Sequence, residues 1–230
     1  MGGVVGVNSA TIPTPLVQVP PDESTYLKRF HTMTALVPDA ADLILLGDSL
    51  APSWPAALHP EAFPGSRPLN VGLTGNRVQN TLWRLGAMNI HHLRPREVVR
   101  LLGTNNLSDG DEAEAIARGI EKVLSNAQSL WSESQAFVVT VTLRGLDTGR
   151  REAVRPRLNN RLCDELLSSR CTVLIEADVV LDCLPSAHSS FLPDLLHLSQ
   201  YGYRRLSGLC AAPGRPQPQD DGRLHCEGQA

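Results

Sequence analysis

The chain has 230 residues, of which 42% are hydrophobic and 20% are charged, and its formal net charge at pH 7 is −3. This length and composition are those of one globular domain with a sizeable core. The small negative charge offers no basic face for nucleic acid, and no apolar run approaches the roughly 18 residues of a membrane span. A secretory signal is not expected, because the first ten residues lack a basic region followed by a long apolar core.

Five apolar runs alternate with helical patterns along the chain. The runs are typical of buried parallel strands and lie at residues 42–46, 68–71, 97–102, 136–142 and 172–175. Helical spacing of apolar residues occurs at residues 23–36, 77–92, 111–131, 151–167 and 199–209. Acidic residues from Asp109 to Asp111 can cap the third of these helices, and Pro156 must either sit in the first turn of the fourth or break it. The alternation predicts a parallel sheet between layers of helices.

The two ends of the chain differ from this central region. Residues 1–22 are rich in Gly, Pro and Val without periodicity, which indicates an extended arm. Residues 213–230 are rich in Pro, Gly, Gln and Asp and have little to bury, which favours a flexible tail. The predicted organisation is therefore an arm (residues 1–22), one α/β domain (residues 23–212) and a tail (residues 213–230).

Cysteine and arginine positions add two expectations. The five cysteines are odd in number, irregularly spaced and without a C-x-x-C pair, which indicates neither a zinc site nor a disulfide framework. Reduced cysteines and a cytoplasmic location are expected. Arg100 interrupts the third apolar run, where an unpaired buried guanidinium would be costly. It therefore either pairs with a carboxylate or reaches the end of the sheet.

Polar and glycine-rich segments follow three of the strands and precede the last helix. They are Gly47-Asp48-Ser49, Asn70-Val71-Gly72-Leu73-Thr74-Gly75-Asn76, Gly103-Thr104-Asn105-Asn106 and the pair Asp194 and His197. Ligands of open parallel sheets bind beyond the carboxyl ends of the strands. We therefore expect these four segments to meet at one edge of the sheet.

The residue types in these segments are those of nucleophilic catalysis. A serine hydroxyl such as that of Ser49 becomes a good nucleophile when a base takes its proton, and His197 is the candidate base. Asp194 can accept the other ring N–H and fix the tautomer. Attack on an ester places negative charge on oxygen. Its candidate donors are the Ser49 N–H at an expected helix start, the Gly75 N–H and the Asn105 side-chain amide.

Each motif alone is more typical of a turn, a surface polar pair or a glycine-rich loop. Their joint order favours a serine hydrolase with Ser49 as the nucleophile. Acyl transfer to an alcohol or sugar at the same site stays open, as does a non-catalytic binding module on the same fold. The nucleophile elbow of α/β-hydrolases is disfavoured, because Ala51 replaces its last glycine and the motif follows the first strand.

These motifs, in this order, resemble the GDSL, or SGNH, hydrolase family over about residues 22–210. The segments that carry the resemblance are Gly47-Asp48-Ser49-Leu50, Asn70-Val71-Gly72-Leu73-Thr74-Gly75, Gly103-Thr104-Asn105-Asn106 and Asp194-Leu195-Leu196-His197-Leu198. Within the family, three further segments look like the catalytic subunits of intracellular platelet-activating factor acetylhydrolase. They are Leu82-Trp83-Arg84-Leu85, Leu93-Arg94-Pro95 and Leu198-Ser199-Gln200-Tyr201-Gly202-Tyr203.

The resemblance implies a three-layer α/β/α sandwich of the flavodoxin-like type with a five-stranded parallel sheet. It implies Ser49 as nucleophile, His197 as base, Asp194 as its orienter, and an oxyanion hole of Ser49 N–H, Gly75 and Asn105. The expected reaction is hydrolysis of a short-chain ester, in the first place an acetyl ester, through an acyl-serine intermediate and without metal or organic cofactor. The expected partner is a small-molecule ester, and because the resembling subunits pair, a homodimer is one expected state.

Two positions depart from the family pattern. Asn76 stands where the family usually has Asp, at a position that supports the loop around the nucleophile. Thr142-Leu143-Arg144 lacks the proline of the family's Leu-Pro-Arg, in a region that shapes the substrate pocket. The acyl preference is therefore not transferred from the family.

Overall fold

The computed structural model describes residues 18, 24–143, 153–166, 172–181 and 190–211. Apart from Gln18, the predicted arm at residues 1–22 lies outside this part of the chain, and so does the predicted tail at residues 213–230.

Five parallel strands form one sheet in the order β2-β1-β3-β4-β5. The strands are β1 (Leu43–Gly47), β2 (Pro68–Asn70), β3 (Glu97–Leu101), β4 (Gln135–Val139) and β5 (Thr172–Ile175). All five predicted strands are confirmed, and so is the flavodoxin-like order. Each residue of β1 is buried, because both faces of the sheet are covered, and this explains its unbroken apolar run.

Seven α-helices surround this sheet in the described part of the chain. They are α1 (Ser24–Ala35), α2 (His59–Ala62), α3 (Val78–Ala87), α4 (Thr104–Asp109), α5 (Ala113–Leu130), α6 (Arg155–Leu166) and α7 (Gln200–Ala211). The five predicted helical segments are confirmed, with Pro156 in the first turn of α6. The short helices α2 and α4 were not predicted, because four and six residues show no helical periodicity.

Three helix termini differ from the predictions, and one of them is the start of α6, which lies at Arg155 instead of residue 151. Helix α3 ends at Ala87, five residues before the predicted end at residue 92, just after the weak helix former Gly86. The apolar residues beyond it keep helical spacing but enter the core from an irregular connection. The start of α5 is not capped by the expected acids. Its N-cap is Glu112, whose side chain makes no capping bond, while Asp109 pairs with Arg77, the N-cap of α3.

The sheet divides the core into two layers. Alternate strand residues point to opposite faces, so that Ile44 and Leu46 pack on one side while Leu43 and Leu45 pack on the other. The first side is covered by α1, α3, α5 and α6, and the second by α2 and α7. The predicted three-layer sandwich is confirmed.

Arg100 neither pairs with a carboxylate of the described residues nor reaches solvent at the end of the sheet, so both expectations for it are wrong. It lies on β3 beside Leu46 and Val138, and only 1% of its surface is exposed. Its Nη1 donates to the Val98 carbonyl at 3.4 Å, while Nε and Nη2 have no hydrogen-bond partner within the described residues. Burial lowers the pKa of Arg100 to about 9, so the guanidinium keeps its charge at neutral pH.

Two findings bear on the expectations drawn from composition. Cys163, which is buried on α6, is disulfide-bonded in this structure, so the expectation of reduced cysteines is wrong at this position. Its partner lies outside the described residues. No helix in the described ranges is long and apolar enough to cross a membrane.

Candidate active site

The candidate residues lie at the carboxyl ends of the strands, at the switch point of the sheet. β1 has β2 on one side and β3 on the other, so the connections that follow these strands diverge at this point. Open α/β sheets form a crevice there. The segments with Ser49, Gly75 and Asn105 follow β1, β2 and β3 in turn.

The turn that carries Ser49 is shaped by Asp48, which is fully buried. The Asp48 N–H donates to the Leu101 carbonyl of β3 at 3.1 Å, and its Oδ1 accepts the Leu50 N–H at 3.0 Å. A carboxylate that accepts the N–H two residues on forms an Asx turn. The Ser49 carbonyl then accepts the Ser53 N–H at 3.2 Å. Ser49 therefore begins a single turn, and the expected helix start at this position is wrong.

The segment with Asp194 and His197 is a tight loop closed by its own backbone. The Leu192 N–H donates to the His197 carbonyl at 2.7 Å. Leu195 has a φ of 51° and is the one residue other than glycine with positive φ in the described ranges. Asp194 Oδ1 accepts the N–H groups of Leu196 at 3.0 Å and His197 at 2.9 Å. These bonds fold the loop so that Oδ2 of the same carboxylate faces the imidazole.

A continuous chain of hydrogen bonds joins the three predicted residues. His197 Nδ1 lies 2.7 Å from Asp194 Oδ2, and His197 Nε2 lies 2.8 Å from Ser49 Oγ. A carboxylate only accepts, so Nδ1 carries the proton and Nε2 of the neutral ring is left to accept the Ser49 hydroxyl. The structure thus brings together residues that are 148 positions apart in sequence.

Ser49 and Asp194, at the two ends of this series of hydrogen bonds, differ in their exposure to solvent. Ser49 is 6% exposed, while the Asp194 side chain is 47% exposed. Partial burial raises the pKa of Asp194. The hydrogen bonds from the His197 ring and from the Leu196 and His197 N–H groups outweigh this, so the pKa lies below its ordinary value. The carboxyl group is therefore ionised at neutral pH, as an acceptor for the imidazole must be.

Gly75 presents a free backbone donor at the same edge. Its φ of 78° is left-handed, and a Cβ at this position would lie 2.4 Å from the Tyr26 Oη of α1. Only glycine fits both conditions without strain. Within the described residues, neither the Gly75 N–H nor the Ser49 N–H donates to a protein acceptor.

Asn105 is held against the loop that carries Gly75. Its Nδ2 donates to the Asn76 carbonyl at 2.8 Å, which leaves the second N–H of the amide for another acceptor. Asn76 is 2% exposed, and its own N–H closes the loop onto the Leu73 carbonyl at 3.0 Å. Asn76, which departs from the family pattern, therefore helps to hold Asn105 in place through its backbone carbonyl.

Asn106 supports this region and was not singled out from the sequence. It is fully buried, and its Oδ1 accepts the Val78 N–H at 2.9 Å at the start of α3. Its Nδ2 donates to Gln79 at 3.0 Å and to Asp111 at 2.8 Å. The sequence offers only a weak signal for this role, a second asparagine directly after Asn105, although a buried amide must find several partners.

The comparisons with known proteins agree with the fold. The family model described as the GDSL-like Lipase/Acylhydrolase family matches residues 33–205. Platelet-activating factor acetylhydrolase IB subunit alpha1 of Pongo abelii is 29% identical over 201 residues, which cover 85% of each chain. The corresponding alpha2 subunit of Homo sapiens is 27% identical over 169 residues, or 72% of each chain.

Solved structures give the same fold at lower identity. A GDSL-like lipase from Bacteroides thetaiotaomicron superposes with a TM-score of 0.63 at 16% identity, covering 81% of this chain and 96% of its own. A member of the lipolytic G-D-S-L family from Veillonella parvula gives 0.62 at 16% identity, with coverage of 73% and 95%.

The fold is an α/β sandwich that brings the candidate site residues together at one edge of a parallel sheet. The chain belongs to the GDSL-like lipase/acylhydrolase family. This membership makes the protein a carboxylic ester hydrolase.

Proposed function

We propose that the protein is a serine esterase that hydrolyses a short-chain ester, with acetyl as the acyl group, through an acyl-serine intermediate. The observation that carries this proposal is the hydrogen-bonded chain from Asp194 through His197 to Ser49. A serine hydroxyl within 2.8 Å of an imidazole nitrogen that lacks a proton is ready to lose its own proton on attack.

In the first half of the reaction, Ser49 Oγ attacks the ester carbonyl and its proton passes to His197 Nε2. Asp194 stabilises the imidazolium that forms. The oxyanion accepts hydrogen bonds from the Ser49 N–H, the Gly75 N–H and the second N–H of Asn105 Nδ2. The carbon–oxygen bond to the alcohol then breaks, the alcohol takes the proton from His197, and the acyl group stays on Ser49.

In the second half, water attacks the acyl-serine carbonyl and gives a proton to His197. The bond between Ser49 Oγ and the acyl carbon breaks, the serine regains its proton and the carboxylic acid leaves. An alcohol or a sugar in place of water would give acyl transfer at the same site, which is the alternative activity.

The acetyl preference is supported by relatives that are named acetylhydrolases and that match most of this chain. A series of p-nitrophenyl acetate, butyrate and octanoate tests it, with kcat/KM expected to fall as the acyl chain lengthens. Product analysis with added methanol separates hydrolysis from acyl transfer. A methyl ester as the main product would favour the transferase.

The direct test of catalysis is hydrolysis of p-nitrophenyl acetate by the wild type and by the Ser49→Ala variant. Loss of a nucleophile or its base typically costs several orders of magnitude, so Ser49→Ala and His197→Ala are expected to lose at least about 10³-fold in kcat. Ser53→Ala is the matched control, because this exposed serine lies in the same turn. Equal rates for wild type and Ser49→Ala would leave the non-catalytic binding module as the better account.

The homodimer and the cytoplasmic location stay predictions. Light scattering tests the first, with a mass of twice the 24.9 kDa chain expected.

A further inference from the structure

Arg84 lies on α3 with its guanidinium under the two loops that carry Ser49 and Gly75. It is fully buried. Its Nη1 donates to the Val71 carbonyl, and its Nη2 donates to the Gly47 carbonyl at 3.0 Å and to Thr81 Oγ1 at 3.2 Å. One side chain thus bridges the end of β1 and the segment that leaves β2.

Both bridged carbonyls stand just before proposed oxyanion donors. Gly47 is two residues before Ser49, and Val71 is four residues before Gly75. The Gly47 carbonyl also accepts the Leu73 N–H at 3.0 Å, so the two loops are joined at this one oxygen by a backbone bond and by the guanidinium.

Burying the guanidinium of Arg84 costs free energy that a side chain serving only to fill space would avoid. Burial lowers the pKa of Arg84 to about 10, with the nearby Asp48 charge acting in the opposite direction. The hydrogen bonds that its Nη1 and Nη2 donate end on two carbonyls and a hydroxyl. The neighbours Leu82 and Leu85 on α3 are buried apolar residues, and a leucine or methionine would cover the sheet without desolvating a charge.

We infer that Arg84 is a positioning residue that sets the spacing of the Ser49 and Gly75 N–H groups in the oxyanion hole. A planar guanidinium holds two carbonyls at a fixed spacing, whereas the ammonium of a lysine is a single centre on a flexible stem and does not fix that spacing. This inference rests on the proposed function, because the spacing matters only if an oxyanion forms between these donors.

The test compares Arg84→Lys with Arg100→Lys. Both make the same change at a fully buried arginine, but the single hydrogen bond of Arg100 within the described residues goes to Val98, away from either loop. Reactive Ser49 is counted by titration with a phosphonofluoridate, and kcat for p-nitrophenyl acetate is expressed per titrated site. This removes the contribution of unfolded protein.

Arg84→Lys is expected to lower kcat per site by about 10- to 100-fold with KM changed less than about threefold, since small displacements of catalytic donors have effects of that size. Its pH profile should keep the wild-type midpoint, because the hydrogen bonds of Arg84 go to Val71, Gly47 and Thr81 and none goes to His197 or Asp194. Arg100→Lys should keep kcat per site within about twofold, even where its stability falls.

The outcomes separate this inference from the proposed function. An active wild type whose Arg84→Lys variant keeps kcat per site within twofold would overturn the role of Arg84 alone. Absence of Ser49-dependent turnover in the wild type would overturn both.

If Arg84→Lys does not fold, Thr81→Val removes one acceptor of the guanidinium in a nearly isosteric way. A drop of about threefold in kcat per site is then expected, and an unchanged value would overturn the inference.

Discussion

Replacing Gly75 by alanine places a methyl group where the structure has no room for one. The φ of 78° at this position is left-handed, and the new Cβ would lie 2.4 Å from Tyr26 Oη and 2.9 Å from Tyr26 Cζ. Gly75→Ala therefore disturbs the geometry of a proposed oxyanion donor without removing the donor itself.

The magnitude follows from these two effects. A left-handed conformation costs a residue with a Cβ about 1–2 kcal/mol. Ordinary contact between heavy atoms begins near ~3.5 Å, so either the loop or Tyr26 must move by about 1 Å. A misplacement of that size costs on the order of 10²-fold in rate, which is comparable to the loss of one oxyanion donor.

The assay is kcat for p-nitrophenyl acetate, measured together with urea denaturation. Gly110→Ala is the matched control, because Gly110 has a φ of 87° with nothing within 4 Å of an added Cβ, at the end of α4. Both variants should lose about 1–2 kcal/mol of stability, and only Gly75→Ala should lose about 10²-fold in kcat. The double variant Gly75→Ala with Tyr26→Phe should regain part of the rate, since it removes the oxygen nearest to the new methyl group. Wild-type kcat in Gly75→Ala, or an equal loss in Gly110→Ala, would refute this reasoning.

Three further predictions concern stability. Tyr203→Phe removes the 2.8 Å bond from Tyr203 Oη to the buried Leu50 carbonyl and should lower the free energy of unfolding by about 1–2 kcal/mol in urea; no change would contradict it. The hydrogen bond from Arg67 lowers the pKa of Asp42 to about 2, so the stabilisation by this carboxylate is complete above the unfolded pKa of about 4 and is lost as the pH falls through about 2. The difference in unfolding free energy between wild type and Asp42→Asn should accordingly shrink from pH 5 to pH 2, and a constant difference would argue against the pair. Arg100→Met removes a buried charge, two of whose nitrogens have no hydrogen-bond partner among the described residues, and should raise the free energy of unfolding by about 1–3 kcal/mol. A decrease would show that the guanidinium stabilises the fold.

The strands and the proposed catalytic residues could be predicted because both leave local signals. A parallel strand that is covered on both faces reads as an apolar run, and Thr172–Ile175 was predicted to the residue. Ser49, Gly75 and Asn105 each follow such a run, so the topology of a parallel sheet was enough to place them at one edge.

The supporting residues left no such signal, because their partners are distant in sequence. Arg84 donates to the Gly47 carbonyl 37 positions away, and Tyr203 donates to the Leu50 carbonyl 153 positions away. A backbone carbonyl looks the same in every residue type, so no sequence pattern marks it as an acceptor. Hydrogen-bond partners were equally unpredictable for Arg100. The apolar run around it predicts that it is buried, but nothing in the sequence indicates that its Nε and Nη2 lack partners among the described residues.

The short turn after β1 does have a local signal in the sequence. Asp48 accepts the N–H of Leu50 two residues on, which is the ordinary behaviour of an Asx turn. This preference of aspartate favours a turn at Ser49 over the expected helix start.

The central claim is that Ser49 is the residue that becomes acylated, and reaction with a phosphonofluoridate followed by intact-mass measurement and peptide mapping tests it most directly. We predict one adduct per chain on the peptide that contains Ser49, its absence in Ser49→Ala and its slow formation in His197→Ala. An unmodified wild-type chain, or an adduct on any other residue, would contradict the account.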